Sequence, residues 1–347
     1  MLTPRENLMR VMKGERPEYI SNQHAYFTST LDPISLDTAG MCPPGGTIVN
    51  GWGVTIGWPE GNPGQYPMDT PETRVIQDIT CWRDEIIVPD PYKYTDEDWD
   101  ECIARARAID RTEKFCAANS FAGIFERVHA MMGMEEAMIS FLTEPEAMHE
   151  LIDFIADWDI ECAKIVIDKI HPDCLFYGDD FGTQISTMIS PETFKEFFVP
   201  AYKKLYGFWK ENGVELIAHH NDAYSATLVP YFIEMGIDIW QGPVLENNIP
   251  KLIETYGGQI TFQGGIDNGK FDMEGWSYEK IRDHVRNLVD ECGVNYFIPS
   301  FTAAGPATTY PGAYDAATRA INEVSLEVLG AASPDYGAAA TSQSPIV

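Results

Sequence analysis

Residues 216–224 read LIAHHNDAY: an apolar run that ends in two of the chain's seven histidines, an asparagine and an aspartate. An imidazole beside a carboxylate can move a proton near neutral pH, and the same pair can hold Zn²⁺. Five other apolar runs finish in the same manner. FCAANS (115–120) ends at Asn119, CLFYGDD (174–180) at Asp179 and Asp180, and IDIWQG (237–242) at Gln241. ITFQGG (260–265) carries Gln263 with Asp267 behind it, and YFIPSF (296–301) carries Ser300. The entries to these six runs, RTEK, HPD, ENGV, EMG, YGGQ and CGVN, are ordinary turns. Taken singly, each residue has a plain structural role open to it: Asp179 and Asp180 could cap a helix, either histidine could be an interior one, and Gln263 could fix a turn. Together they place a functional pocket at one rim. Side chains alternate along a strand, so one of His219 and His220 faces that pocket and the other packs outward.

The elements that would position these groups follow a strand–loop–helix rhythm from residue 113 onward. The clearest helix is SPETFKEFFVPAYKKLYGFWKENG, with Ser190 as N-cap, Pro191 in the first turn, Glu192 at the positive dipole end and Gly213 as the stop. Pro200 should kink or divide it. Such alternation implies a parallel sheet with helices outside it. YISNQHAYF (19–27) and RVIQDIT (74–80) offer further strands. Eight strands closing into a (β/α)8 TIM barrel is the natural count for this length, with an open doubly wound sheet as the alternative. In both, the active site lies at the carboxyl ends of the strands. The expected organisation is one catalytic barrel over residues 1–329 and an unstructured tail over 330–347. Within the barrel, a Gly/Pro-rich loop at 40–72, carrying Trp52, Trp58 and Tyr66, would form a packed lid. Trp52, Trp58, Phe125, Tyr224 and Trp240 could flank a flat ligand, while Asn119 and Glu126 in CAANSFAGIFER stand beside the mouth.

Charge narrows the partners. With 24 basic and 53 acidic residues among 347, the net charge is −29, which repels nucleic-acid backbones and anionic lipid. Seven scattered cysteines without a C-x-x-C pair suggest reduced thiols. The charged start MLTPRENLMRVMKGERPEYI is unlike an export signal, and no apolar run reaches membrane-spanning length. A cytoplasmic protein is expected. There is no G-x-S-x-G elbow and no phosphate-cradling glycine loop.

LTPRENLMRVMKGERPEYI, YGDDFGTQISTMISPETFKEFFVPAYKKLYGFWKENGVELIAHH, LVPYFIEMGIDIWQG and ITFQGGID together resemble the uroporphyrinogen decarboxylase superfamily, in order from residue 2 to about 329. The resemblance implies a (β/α)8 barrel with a deep site at its carboxyl mouth. Decarboxylases of this family carry an Arg-rich R-Q-A-G-R segment that grips an octa-anionic tetrapyrrole. Here the segment reads SNQHAYFTSTLDPI, with no arginine between Arg16 and Arg74. The corrinoid-dependent methyltransferase branch includes coenzyme M methylases that bind zinc through H-x-C and a later cysteine. His219 matches that histidine, but Asn221 and Ser300 stand where the cysteines would be, which argues against a thiol acceptor.

WGVTIGWPEGNPGQYP, AHHNDAYSATLVP and FQGGID look like the veratrole-type methyltransferases, which open aryl methyl ethers and pass the methyl group to a corrinoid protein. The resemblance thus implies a methoxylated aromatic substrate, a separate corrinoid (cobalamin) protein as partner, and a homodimer as a candidate assembly. The expected catalytic groups are His219 or His220 as proton donor, oriented by Asp179, Asp180 or Asp222. Zn²⁺ held by His219 and Asp222 is the competing version. Asn119, Phe125, Glu126, Tyr224, Trp240, Gln241, Gln263, Trp52 and Trp58 would contact substrate. An E-x14-E-x20-H spacing proposed for related enzymes occurs as Glu135, Glu150 and His171, but those residues fall on outer helices and ahead of a strand. A decarboxylase of a small non-tetrapyrrole acid is the alternative activity, and a non-catalytic binder the third reading.

Overall fold

The computed structural model describes residues 1–334 apart from 63, 304 and 306–308. Its ten strands are β1 (Phe27–Thr30), β2 (Thr47–Val49), β3 (Thr55–Gly57), β4 (Tyr66–Pro67), β5 (Phe115–Ser120), β6 (Cys174–Gly178), β7 (Leu216–His220), β8 (Ile239–Gln241), β9 (Thr261–Ile266) and β10 (Phe297–Phe301). β1 and β5 to β10 form one parallel sheet in chain order, each joined to the next through helices. The architecture is a (β/α) barrel. All six runs that end in polar residues are strands of it.

The two N-terminal candidates fare differently. YISNQHAYF contributes only its last residue to β1, and RVIQDIT forms no regular strand: the N–H groups of Val75 and Ile76 donate instead to the Met131 carbonyl. The place of an eighth strand, between β10 and β1, is bridged by the segment before β1. Gln23 N–H donates to Pro299 O (3.3 Å), and the Gln23 side chain accepts from Phe301 N–H (3.4 Å). Tyr26 OH donates to Gln263 Oε1 (2.7 Å), whose Nε2 donates back to Gln23 O (3.3 Å).

Strand alternation divides the core in two. Phe115, Ala117, Phe176, Leu216, Ala218, Ile239 and Ile298 form the inner cluster, while Cys116, Ala118, Leu175, Tyr177, Ile217, Trp240 and Phe297 join the outer one with the helices. The amino-terminal helix Pro4–Lys13 plugs the barrel floor. It starts on a Thr3–Glu6 capping box and stops at Gly14 in the left-handed region (φ 69°), burying Leu8 and Val11 against the inner cluster. The long helix of the 190–213 segment is divided as Pro200 requires, into Pro191–Phe197, capped by Ser190, and Val199–Glu211.

The Gly/Pro-rich stretch folds over the mouth as a three-stranded antiparallel sheet, β2–β3–β4. Two amides pin it. Asn50 donates to Thr38 O and accepts from the N–H groups of Trp52 and Val54; Gln65 donates to Gly40 O and accepts from Cys42 N–H. Trp52 is buried edge-on against Trp158, with ring centroids 4.8 Å apart. After the last helix, Ala313–Leu329, Ser325 Oγ donates to Ala331 O (2.6 Å) and Ser333 bonds Asn322. Of the tail expected at 330–347, residues 335–347 lie outside the described residues. No helix among the described residues is long and apolar enough to cross a membrane.

Leu8→Ala removes a fully buried plug side chain and should cost about 2–5 kcal/mol of unfolding free energy in urea titration. A loss below about 1 kcal/mol would mean that the helix does not seal the floor.

Candidate functional site

The alternation that separates the core also separates the two histidines. His219 points outward, fully buried among aromatic rings and stacked on Phe181 at 5.6 Å. Its Nδ1 bonds Tyr206 OH (2.7 Å) and its Nε2 faces the Asp179 carbonyl (3.3 Å). Burial, with the neighbouring His220, drives its pKa down to about 3, so it is neutral. The structure therefore withdraws His219 from both expected roles, proton donor and zinc ligand. Its ring nitrogens are spent and it does not reach the mouth.

His220 points inward, and Gln241, its partner across β7–β8, holds it. Gln241 Nε2 donates to Phe301 O (3.2 Å) and Thr302 O (2.9 Å), so Oε1 is left to accept from His220 Nδ1. With its proton on Nδ1, the ring keeps a lone pair on Nε2. Asp180 and Asp222 complete a group in which one ligand-capable atom from each of the three residues lies within 4.8 Å of the others. Asp222 N–H donates to Asp180 Oδ1 (2.8 Å), which ties the two strand-end loops together. Burial and the charge of Asp222 push Asp180 up to about 7, against the pull of His220.

Asp179, one residue earlier, does different work. Its carboxylate accepts from the N–H groups of Phe125 (2.8 Å) and Glu126 (2.9 Å) and from Tyr202 OH. It anchors the first turn of helix Ile124–Met132, where a carboxylate suits the positive dipole end. Burial raises its pKa and the three donors oppose that rise. Asp179 is thus a positioning group rather than a catalytic one. Gly123 is required beside it, since a Cβ there would fall 2.2 Å from Asp179 Cβ.

A cavity of about 330 Å³ runs from this cluster to the underside of the lid. Asp180, His220 and Gly178 stand at the barrel end; Trp52, Ile56, Tyr66 and Pro67 form the lid end. Helix Ile124–Met132 supplies a side wall through Glu126, His129 and Ala130, spaced three and four apart on one face. Burial, Asp180 and Asp179 hold the Glu126 carboxyl well above the usual range. Burial takes His129 down to about 4.

Of the expected substrate contacts, Glu126 and Trp52 line this cavity and Gln241 acts through His220. Others do not reach it. Phe125 is buried between His129, Phe181 and Phe198 because it lies on the core face of its helix. Trp240 alternates outward and donates to Asn221 O (2.8 Å), and Gln263 is consumed in closing the cylinder. Trp58 donates to Asn62 O on the lid's flank, and Tyr224 N–H donates to Thr183 O in the loop beyond β6; neither ring lines the cavity. Asn119 is buried away from the cavity with no side-chain hydrogen bond. Glu135, Glu150 and His171 lie on the surface, Glu150 paired with Arg83 at 3.1 Å.

The sequence reading missed His129, Phe121 and Met131 in the wall. The three-residue spacing from Glu126 to His129 was the available signal for the first.

His129 yields a pH test. Its folded pKa of about 4 lies below the ordinary 6.5, so the unfolded chain binds the proton first as pH falls. Stability from this group is complete above pH 6.5 and is lost as pH falls toward 4. His129→Phe should flatten the stability–pH curve across that window by about 1–3 kcal/mol in denaturant titrations. Parallel curves for the two proteins would refute a buried neutral imidazole.

The uroporphyrinogen decarboxylase (URO-D) family model matches residues 3–324. A methylated-thiol–coenzyme M methyltransferase of Methanosarcina mazei is 27% identical over 167 residues, covering 45% of this chain and 42% of that protein, so the chain spans under half the length of this curated relative. The solved structure of a methyltransferase from Methanosarcina mazei superposes with a TM-score of 0.63 over 93% of this chain and 99% of that one, at 12% identity, which speaks for a shared fold. With a family match over nearly its whole length and a barrel to go with it, the chain belongs to the uroporphyrinogen decarboxylase family.

Proposed function

We propose that the protein is a methyltransferase that moves a methyl group from an aryl methyl ether to Co(I) of a corrinoid carried by a separate protein. The observation that carries this reading is the cavity itself. It is lined under the lid by Trp52, Val54, Ile56 and Pro67, ends on Asp180 and His220 with Asp222 grouped beside them, and has no cysteine among the described residues that line it. Both methyltransferase relatives fit a methyl-moving role on this barrel. The nitrogen and oxygen donors suit an ether oxygen better than a thiol, which soft thiolate ligation would serve.

In the reaction the methyl carbon–oxygen bond breaks, the electron pair stays on oxygen and the methyl group passes to cobalt. A phenolate is a poor leaving group, so the oxygen needs a counter-charge or a proton. His220, with its Nε2 lone pair, and the carboxylates of Asp180 and Asp222 are the residues that would hold a zinc ion, and the fixed tautomer of His220 fits that task. Bound there, zinc would act as a Lewis acid on the ether oxygen. Gln241 keeps the imidazole in its ligating orientation, the Asp222 N–H to Asp180 bond fixes the spacing of the carboxylates, and the lid covers the cavity.

Anaerobic incubation with reduced corrinoid protein and a methoxyarene, followed by the corrinoid spectrum, tests this. His220→Ala and Asp222→Ala should each lower methyl transfer about 100-fold or more. Gln241→Leu should cost about 10–100-fold through the misdirected ring. Undiminished transfer in His220→Ala would end the proposal.

A further inference from the structure

Resting on the proposed aryl ether chemistry, we infer that the lid reads a second oxygen on the ring. With the methoxyl at the Asp180–His220–Asp222 end, a carbonyl or carboxylate oxygen on the opposite ring edge accepts hydrogen bonds from Asn50, Gln65, Trp52 and Arg127. All four line the cavity, and each keeps an N–H that no described residue accepts. The two lid amides are fixed in orientation. Asn50 Oδ1 accepts from the N–H groups of Trp52 and Val54, both at 3.0 Å; Nδ2 gives one hydrogen to Thr38 O (2.8 Å), and its second is left over. Gln65 Oε1 accepts from Cys42 N–H (2.7 Å), Nε2 gives one hydrogen to Gly40 O (2.8 Å), and again one remains. The amides are neighbours across Gly40, where a Cβ would fall 2.9 Å from Asn50 Cβ.

Trp52 and Arg127 add donors of another kind. Trp52 Nε1 and Arg127 Nε are buried and bond no described acceptor, and the guanidinium carbon stands 5.7 Å from the Trp52 ring centroid. Buried N–H groups left unpaired are costly and rare, and a ligand oxygen is one of the few partners that can answer them. Asp159 balances the guanidinium charge at 2.6 Å, so a neutral oxygen and an anionic one are both admissible. The barrel end has the opposite polarity, with the Asp180 carboxyl and the Nε2 lone pair of His220. A carbonyl oxygen is a stronger acceptor than an aryl ether oxygen, whose lone pair is shared with the ring. It therefore takes the lid donors and leaves the methoxyl to the other end.

Calorimetric titration of the full chain, without any corrinoid partner and after chelation so that no metal captures the carbonyl, tests the inference. 4-Methoxyacetophenone and 4-isopropylanisole have nearly the same shape and differ in one acceptor oxygen; 4-methoxybenzoate carries the anionic version. The acetophenone, the benzoate or both should bind about tenfold or more tightly than the isopropyl ring, although desolvation alone favours the latter. Which of the two binds tells a neutral acceptor from an anionic one. Trp52→Phe keeps a ring and removes the N–H, and should cut the preference to about threefold or less. Gln65→Glu keeps the acceptor for Cys42 N–H and replaces the amino end with oxygen, so it should also cut the preference, most for the benzoate. Unchanged binding of 4-isopropylanisole to each variant reports that its lid is still folded. Equal binding of all three ligands to the unaltered protein, binding of none, or a preference that survives both substitutions overturns the inference. Failure of the proposed function reads out separately: the binding order would hold while no methyl group reached the corrinoid.

Discussion

The site hangs on the hydrogen bond between Gln241 and His220. Two carbonyls at the end of β10, of Phe301 and Thr302, take both amino hydrogens of Gln241, and that leaves one acceptor pointing at one ring nitrogen. A histidine at a strand end can turn over or change tautomer. This one can do neither without breaking a buried bond and leaving a polar atom unpaired. The constraint reaches over β9, because Gln241 belongs to β8 and its carbonyl partners stand at the end of β10.

Around that bond the acidic residues divide their labour. Asp179 and Asp180 are neighbours in sequence, yet one faces the first turn of helix Ile124–Met132 and the other faces the cavity. By gripping that turn, Asp179 sets where Glu126 and His129 stand in the wall. The outward His219 braces the same region through Tyr206 and the Asp179 carbonyl. A cluster of burial-raised carboxyl groups at a barrel mouth is costly for stability. Such costs are commonly met where chemistry or ligand binding requires them.

Much of this was legible beforehand, for physical reasons. Apolar runs bounded by turns read as strands because a strand buried on both faces needs them, and the polar residues at their ends marked the mouth. The pairing of one inward and one outward histidine followed from strand alternation. Which was which did not, since nothing local to LIAHHNDAY fixes the strand's phase; the partners Gln241 and Tyr206 lie far away in sequence. The same limit hid the outward turn of Trp240 and the closing role of Gln263. YISNQHAYF carried strand-like residues but became a hydrogen-bonded bridge, with Gln23 in the left-handed region, because it must cross between β10 and β1. The lid was legible in its aromatics and glycines, while its three short strands depend on pairing that no periodicity announces.

The most direct test of the account is zinc binding read by X-ray absorption and metal analysis on the purified protein and two single variants. The account predicts one zinc per chain in a shell of nitrogen and oxygen without sulfur, lost in His220→Ala and kept in His219→Ala. Zinc that survives His220→Ala, departs with His219→Ala or shows sulfur ligation would contradict it.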